Sequence, residues 1–245
     1  MGLELGSLED RTAVITGGGG GVGAAVALAL AEAGADVHLI GRRLNKLELV
    51  AAKARKFGVN AAVQSVDIST CWGQLQAVQR INADLTHLDI LVLNAATFAA
   101  APIEDADLSD FDKLYQTNVR APYALTQALS PMLKARNGQA VFINSSSGIA
   151  AKPMTAQYDS SKYALKAIAD SFRAEINPHG VRVLSVYLGR TASEMQERIC
   201  QMEGKPYRPE LLLQPEDVAS VIVNALCLPR TAEVTDISIR PMIKS

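Results

Sequence analysis

A tyrosine and a lysine four residues apart are the first candidates for chemistry in this sequence. Tyr158 and Lys162 lie in a segment with helical spacing, so both side chains share one face of a helix. A tyrosine normally titrates near pH ~10, so proton exchange at neutral pH requires help from a cation such as Lys162, or from a helix N-terminus, which Thr155 could cap. The pair suits general acid–base catalysis, although one such spacing by itself is a weak motif.

Two other polar residues are candidates for the same chemistry. Ser145 ends an apolar run within the sequence NSSSG at residues 144–148. A hydroxyl at the end of a strand could hydrogen-bond a substrate carbonyl or alkoxide, and an ordinary polar turn is the alternative. Asn118 interrupts a helical stretch, where the alternative is a helix-surface or helix-bending asparagine.

A glycine-rich segment between an apolar run and a helical pattern predicts a nucleotide site. Six of the 17 glycines lie at residues 17–23, directly after Thr16. Such a loop lets backbone N–H groups approach a pyrophosphate, and the N-terminus of the following helix adds partial positive charge. A merely flexible turn is disfavoured, because consecutive glycines cost conformational entropy unless close approach is needed.

The residues at the end of the second apolar run predict which cofactor is preferred. It ends in Gly41, Arg42 and Arg43, with no acidic residue that would bind a ribose 2′-hydroxyl and repel a 2′-phosphate. An arginine at this place can form two charge-assisted hydrogen bonds to a phosphate. The sequence therefore predicts a preference for NADP(H) over NAD(H), carried mainly by Arg42. Arg43 is equally well interpreted as a solvated loop residue.

Short apolar runs rich in Val and Ile alternate with helical patterns along the chain. The runs predict strands at Thr12–Thr16, Asp36–Ile40, Ala61–Val66, Asp89–Leu93, Ala140–Asn144, Val181–Tyr187 and Asp236–Arg240. Helices are predicted at Val22–Ala33, Leu44–Phe57, around Leu75–Leu85, at Ala156–Asn177 and at Pro215–Leu228, while Asp110–Ala135 holds one helix kinked at Pro122 or two helices.

This order of elements predicts the fold class and the domain organisation. Alternating strands and helices specify an α/β fold, a Rossmann-type doubly wound parallel sheet of about seven strands with helices on both faces. No linker or break in composition divides residues 1–245, so we expect a single domain. The aperiodic stretch 190–214 follows a strand and is interpreted as a substrate lid; the alternative is that its apolar residues pack on the sheet.

Taken together, these motifs resemble the short-chain dehydrogenase/reductase family from Asp10 to Arg240. The resemblance implies that four residues are catalytic: Asn118, Ser145, Tyr158 and Lys162. It implies cofactor binding by Gly17, Gly21, Val22, Gly23, Arg42, Arg43, Asp67, Ile68, Asn94, Ala95, Ala96, Tyr158, Lys162, Gly189, Thr191 and Ser193. Three residues depart from the family's patterns: Ala96 replaces a glycine, Leu188 a proline and Ser193 a threonine.

The resemblance implies an NADP(H)-dependent oxidoreductase that interconverts an alcohol and a carbonyl compound. Tyr158 would exchange the hydroxyl proton, Lys162 would lower the tyrosine pKa and hold the nicotinamide ribose, Ser145 would orient the substrate oxygen, and Asn118 would hold a water linking Lys162 to solvent. One alternative is a nucleotide-sensing regulator that binds the cofactor without turnover; another is a purely structural interaction protein, which the glycine loop disfavours.

Composition and charge exclude several other classes. The 24 basic and 25 acidic residues nearly balance, which argues against a nucleic-acid or anionic-membrane partner. No His, Cys, Asp or Glu cluster has the spacing of a metal site, and three scattered cysteines suggest neither zinc nor a disulfide framework. The N-terminus lacks the features of a signal peptide, so we expect a cytoplasmic protein with a small-molecule substrate. By analogy with the family we also expect a homo-oligomer, a dimer or tetramer, with a dimer through the helices of Asp110–Ala135 and Ala156–Asn177 as the first hypothesis.

Overall fold

The computed structural model describes residues 7–243. The expectation about an N-terminal signal depends largely on residues 1–6, which lie outside the described residues. Within residues 7–243, no helix is long and apolar enough to cross a membrane.

Seven parallel strands form one sheet in the order β3-β2-β1-β4-β5-β6-β7. Their bounds are β1 Thr12–Thr16, β2 Asp36–Gly41, β3 Ala61–Ser65, β4 Ile90–Leu93, β5 Gln139–Ser145, β6 Arg182–Leu188 and β7 Asp236–Ile239. The strand order reverses direction between β1 and β4, which is where open α/β sheets bind ligands at their carboxyl edge. The predicted doubly wound sheet is confirmed, and no strand end differs from its predicted position by more than one residue.

Helices cover both faces of this sheet. They are α1 Gly21–Glu32, α2 Leu44–Ala54, α3 Cys71–Asp84, α4 Leu108–Tyr115, α5 Ala121–Ala135, α6 Ala156–Ile176, α7 Glu194–Met202 and α8 Pro215–Leu226. Two buried hydrophobic clusters hold the layers together. One lies under α1, α2 and α8, and the other lies under α3, α5 and α6. The apolar strands face a cluster on each side, which explains why their hydrophobic residues are consecutive rather than alternating.

Two segments differ in detail from what their sequences indicate. The stretch Asp110–Ala135 belongs to α4 and α5, which a π-helical turn at Gln116–Arg120 joins, and Pro122 lies in the first turn of α5. The aperiodic stretch 190–214 contains α7, whose first turn is capped by the Ser193 hydroxyl, an acceptor from Gln196 N at 3.2 Å. This cap starts a helix that the mixed sequence does not reveal.

Candidate active site

The glycine loop lies at the carboxyl end of β1, beside the end of β4. The Thr16 hydroxyl accepts hydrogen bonds from the amides of Asn94 and Ala95, at 2.9 and 3.1 Å, and donates to Val92 O at 3.3 Å. The Asn94 side-chain amide donates to Thr16 O and lies 3.3 Å from Gly17 O. These bonds join the two strands at the switch point and fix the start of the glycine loop.

Two glycines of this loop are required by close approach. Gly17 has φ +68°, and a Cβ atom there would lie 2.7 Å from the Asn94 Nδ2 atom. A Cβ atom at Gly23, in the first turn of α1, would lie 2.4 Å from both Asn94 Nδ2 and Gly17 O. At Gly20, by contrast, no described atom lies within 4 Å of such a position, so the loop presents open backbone there.

Tyr158 and Lys162 lie one turn apart on α6 and are both buried, with 9% and 3% of their surfaces exposed. The Lys162 Nζ atom lies 5.8 Å from the centroid of the Tyr158 ring and donates a hydrogen bond of 3.3 Å to Ile143 O on β5. The ring of Phe98, in the loop after β4, packs edge-on against Tyr158 at a centroid distance of 4.9 Å. The predicted pair therefore lies between α6, β5 and this loop.

Burial controls the protonation of both side chains. It raises the pKa of Tyr158 to about 12, an effect that the Ser145 side chain opposes and the Asp159 carboxylate increases. Burial also lowers the pKa of Lys162 to about 8. The expected lowering of the tyrosine pKa by Lys162 stays a prediction, since desolvation of the phenolate is the largest influence on this pKa and raises it. Tyr158 is thus a neutral phenol at neutral pH.

Ser145 ends β5 and lies close to α6. Its hydroxyl accepts a hydrogen bond of 3.1 Å from Ser147 N, and the neighbouring Asn144 amide donates to Lys162 O at 3.2 Å, which ties the strand end to α6. The predicted cap by Thr155 is absent. The Thr155 hydroxyl instead lies 2.8 Å from the Asp159 Oδ2 atom and makes no bond to an amide of the first turn.

Asn118 lies in the π-helical turn between α4 and α5 and is 1% exposed. Its side-chain N–H groups donate to Thr97 O and to the Ser161 hydroxyl, both at 3.0 Å, and its Oδ1 atom accepts from Thr97 N at 2.9 Å. Both amide donors are therefore occupied by protein acceptors. Asn118 connects the loop after β4 to α6, and only the remaining acceptor capacity of its side-chain oxygen is available to a water.

The two arginines after β2 have different surroundings. Both are exposed, and no side-chain hydrogen bond or ion pair of Arg42 occurs within residues 7–243. Arg43 forms an ion pair of 2.8 Å with Glu194 in the first turn of α7, and Lys46 of α2 pairs with the same carboxylate. Arg43 is therefore more than a solvated loop residue, whereas Arg42 is available to an external anion.

The remaining predicted cofactor residues follow β3, β4 and β6 at the same edge of the sheet. Asp67 is exposed and accepts from the Ser69 amide and hydroxyl, while Ile68 is buried. Ala95 and Ala96 follow Asn94 and are half-buried. Gly189 packs against the chain after β7, and a Cβ atom there would lie 2.9 Å from Pro241 Cδ.

The hydroxyls of the loop after β6 are used within the loop. The Thr191 hydroxyl donates to Gly189 O at 3.0 Å, and the Ser193 hydroxyl donates to Thr191 O at 3.1 Å. The position of a Cβ atom on Gly21 would lie 3.4 Å from Ser193 Cβ. The structure thus brings this loop against the glycine loop. Val22, in the first turn of α1, is half-buried beside them.

Sequence reasoning missed several residues that complete the site. Phe98, Thr97 and Ser161 contact the predicted catalytic residues, and Glu194 pairs with the positive charges after β2. Nothing in their local sequence distinguishes them from loop or helix residues. Only the Tyr158–Ser161 spacing gives a signal, because residues three apart share a helix face.

The fold and this site define a doubly wound α/β protein with a glycine loop and a buried Tyr–Lys pair at the carboxyl edge of the sheet. The model of the short chain dehydrogenase family matches residues 11–204. The chain therefore belongs to the short-chain dehydrogenase/reductase family of oxidoreductases.

Similar proteins support this assignment across nearly the whole chain. A short chain dehydrogenase of Pseudocercospora fijiensis is 32% identical over 243 residues, which cover 92% of this chain and 78% of the relative. A cyclopentanol dehydrogenase of Comamonas is 30% identical over 196 residues, covering 80% of this chain and 78% of that protein. The X-ray structure of an alcohol dehydrogenase from the archaeon Thermococcus sibiricus, complexed with 5-hydroxy-NADP, has a TM-score of 0.87 at 25% identity and covers 96% of this chain and 98% of its own.

Proposed function

We propose that this oxidoreductase interconverts an alcohol and a carbonyl compound with NADP(H), using Tyr158, Lys162, Ser145 and Asn118. The observation that carries the proposal is the burial of Tyr158 and Lys162 on one face of α6, next to the hydroxyl that ends β5. Burying an ionisable pair is unfavourable for folding, so this arrangement favours a catalytic role over a structural one.

The residues at the switch point fit a dinucleotide. The loop exposes backbone at Gly20, the N-terminus of α1 follows, and the guanidinium of Arg42 is exposed next to the end of β2. Amide groups at a helix N-terminus and an exposed guanidinium are the groups that bind phosphates. A bound nicotinamide dinucleotide would supply the redox chemistry, and the chain would bind and orient it.

Each catalytic side chain has a distinct task in this proposal. Tyr158, a neutral phenol at neutral pH, donates its proton to a substrate carbonyl oxygen in the reductive direction and accepts it in the oxidative one. The Ser145 hydroxyl donates a hydrogen bond to the same oxygen and orients it. Lys162 adds positive charge near the phenol, and the ribose hydroxyls are its proposed ligands.

Asn118 supports these groups from the π-helical turn. Its bonds to Thr97 and Ser161 hold the loop that carries Phe98 and the face of α6 that carries Tyr158. We propose it as a positioning residue, with its side-chain oxygen as the acceptor for the water that links Lys162 to solvent.

A labelled-cofactor assay tests this function. NADPH deuterated at the transferable position is incubated with panels of ketones and aldehydes, and the alcohols are analysed by mass spectrometry. We expect deuterium in at least one alcohol product with the unmodified protein. Tight binding of NADPH with no transfer to any member of a broad panel would favour the nucleotide-sensing regulator instead.

The stretch 190–214 is the proposed substrate lid. Leu212 and Leu213 are buried, and Leu213 packs in the core under α1 and α8. For these two leucines we therefore favour the alternative interpretation, in which they pack on the body of the protein. Met202, at the end of α7, is 59% exposed. We infer that α7 is the movable part of the lid and that the leucines anchor its C-terminal side.

We also propose self-association through α4, α5 and α6. Large apolar side chains on these helices are exposed, among them Leu108, Tyr123 and Tyr163. Sedimentation equilibrium measures the mass independently of shape, and we expect a dimer or tetramer; a monomer at micromolar concentration would contradict this. The cytoplasm, the compartment expected from the sequence, is the proposed place of action, which cell fractionation tests.

A further inference from the structure

Glu194 connects the lid to the cofactor-binding edge through two ion pairs. Its carboxylate lies 2.8 Å from the Arg43 guanidinium and also contacts the Lys46 ammonium. Glu194 is the first residue of α7, whereas Arg43 immediately precedes α2 and Lys46 lies in the first turn of α2. We call this group of three residues, Arg43, Lys46 and Glu194, the latch.

The latch crosses the glycine loop. On one side, Ser193 approaches the loop at Gly21, where a Cβ atom would lie 3.4 Å from Ser193 Cβ. On the other side, a Cβ atom at Gly19 would lie 3.3 Å from Lys46 Cβ. The carboxylate of Glu194 therefore lies beside the loop that we propose binds the cofactor phosphates.

The Glu194 carboxylate is ionised at neutral pH. Hydrogen bonds from Lys46 and Arg43 lower the pKa of Glu194 to about 2. Within residues 7–243, neither Arg43 nor Lys46 forms an ion pair with any other acidic side chain. Residues 42–46 carry three positive charges, and Glu194 already neutralises two of them, those of Arg43 and Lys46. The third belongs to Arg42.

We propose that Glu194 is a specificity-determining residue that disfavours cofactors carrying a 2′-phosphate. The inference rests on the proposed dinucleotide function. A phosphate that approaches Arg42 also draws Arg43 and Lys46, so it must displace or be repelled by the Glu194 carboxylate. A cofactor with a free 2′-hydroxyl leaves the latch intact. Glu194 therefore limits the preference for NADP(H) that Arg42 provides.

The expected change in cofactor affinity is small, because the side chains of the latch are partly exposed. The side chains of Arg43 and Glu194 are 51% and 50% exposed, and exposed ion pairs are weak because water and salt screen them. Two such pairs correspond to a change in affinity of about 3- to 10-fold at low ionic strength. The latch is therefore expected to adjust selectivity without deciding whether a cofactor binds.

The test compares Glu194→Gln with a matched control, Glu197→Gln. Glu197 also lies in the first turn of α7 and is exposed, but it forms no ion pair within residues 7–243. Dissociation constants for NADPH and NADH are measured by fluorescence titration at low salt. We expect Glu194→Gln to bind NADPH about 3- to 10-fold more tightly, with NADH changed by less than about twofold. Glu197→Gln should change neither value.

A double-mutant cycle with Lys46→Met isolates the ion pair. If the latch acts as proposed, the gain in NADPH affinity from Glu194→Gln is smaller when Lys46 is already replaced. Unchanged NADPH affinity in Glu194→Gln, or an equal gain for NADPH and NADH, would overturn the proposal.

This outcome is separable from the proposed cofactor preference. Tighter binding of NADH than NADPH by the unmodified protein would refute the preference for NADP(H), yet the ratio of the two affinities in Glu194→Gln would still test the latch. Failure of both cofactors to bind would refute both proposals.

Discussion

At the scale of single residues, the main feature is that two ionisable side chains are buried together. Water stabilises the charged forms of both, so burial favours neutral Tyr158 and makes the charge on Lys162 costly. The same desolvation strengthens any electrostatic interaction made with a substrate oxygen. The environment thus suits proton donation better than the formation of a free phenolate.

Replacing Tyr158 by Phe tests its role as the proton donor. The change removes one oxygen and little volume, so folding and cofactor binding should survive. We expect turnover of any identified carbonyl substrate to fall at least ~10²-fold, the usual scale for loss of a general acid. Steady-state kinetics and cofactor titration measure the two effects, and near-normal turnover in the folded variant would end the proposed mechanism.

Replacing Lys162 by Met should stabilise the fold while it removes activity. The lysine pKa falls from 10.5 to about 8 on folding, so the unfolded chain binds the proton more tightly and the buried ammonium opposes folding below pH 8. We expect the variant to gain about 1–3 kcal/mol in free energy of unfolding at pH 7.

Urea denaturation at several pH values checks the sign of this effect. The penalty in the unmodified protein disappears as the pH rises from 8 towards 10.5, where the unfolded lysine also loses its proton. The stability advantage of Lys162→Met should therefore shrink over that interval. A variant that is less stable than the unmodified protein at pH 7 would show that the ammonium contributes to folding.

Replacing Arg42 by Ala tests the proposed choice of cofactor. Its guanidinium is exposed and has no ion-pair partner within residues 7–243, so its loss should disturb little else. We expect NADPH binding to weaken by roughly 1.5–3 kcal/mol, the range for hydrogen bonds to charged groups, and NADH binding to stay almost constant. Equal losses for both cofactors would argue against recognition of the 2′-phosphate by Arg42.

At the scale of elements, the site depends on two places where regular structure is interrupted or starts unexpectedly. The π-helical turn at Gln116–Arg120 directs Asn118 inward against α6, as such turns often do at functional sites. The cap at Ser193 starts α7 beside the glycine loop and thereby directs Glu194 towards α2. The π-helical turn thus positions Asn118, and the cap positions Glu194; an uninterrupted helix or an irregular loop would not fix these side chains in the same places.

The lid should become more rigid when a cofactor binds. NADH is the informative ligand, since without a 2′-phosphate it leaves the ion pairs of Glu194 undisturbed while adding contacts to the loop at residues 189–193. We expect amide hydrogen exchange in α7 to be slower with saturating NADH than in the free protein. The core strand β5 serves as an internal reference. Identical protection of α7 in the two states would contradict lid closure.

At the scale of the whole molecule, the two edges of the sheet have different tasks. The candidate site occupies the carboxyl edge, whereas Asp89 joins three strands at the amino edge. Its backbone pairs with Thr12 and Gln139, and its buried carboxylate accepts from Thr12 N at 3.0 Å, Arg11 at 2.8 Å and Arg136 at 3.1 Å. The bonds of Asp89 and the candidate site thus lie at opposite ends of the strands.

Replacing Asp89 by Asn should destabilise the protein without changing the site. Burial alone would raise the pKa of Asp89, but the hydrogen bonds from Arg11, Thr12 and Arg136 hold it below its usual value of 3.8. The carboxylate therefore contributes stability that is present above pH 3.8 and is lost as the pH falls through the folded pKa. We expect a loss of about 1–3 kcal/mol at pH 7, since the two arginines are partly exposed.

Urea denaturation at pH 7 and at pH 3 measures this contribution. The difference between the unmodified protein and Asp89→Asn should narrow in acid, where protonation weakens the same interactions. Asp110→Asn is the matched control, because within residues 7–243 that carboxylate forms only an exposed ion pair with Lys113, so its loss should be nearly neutral. A constant difference at both pH values would contradict the assigned role of the charge.

The sequence alone determined the order and type of the elements and the catalytic candidates. Apolar runs and helical periods are local properties, so β1 to β7 and the helices α1, α6 and α8 could be located within a residue or two. The Tyr158–Lys162 pair and the glycine loop are likewise local motifs. Their juxtaposition followed from the rule that parallel strands align their carboxyl ends at one edge.

The tertiary structure alone decided which distant side chains meet and how burial changes their chemistry. Glu194 pairs with Arg43 and Lys46 across 151 and 148 residues, and Asn118 reaches Ser161 across 43, which no local period encodes. The raised pKa of Tyr158 was also beyond the sequence, because Lys162 suggested the opposite direction. Desolvation depends on every atom packed around the phenol, and only the folded chain assembles those atoms.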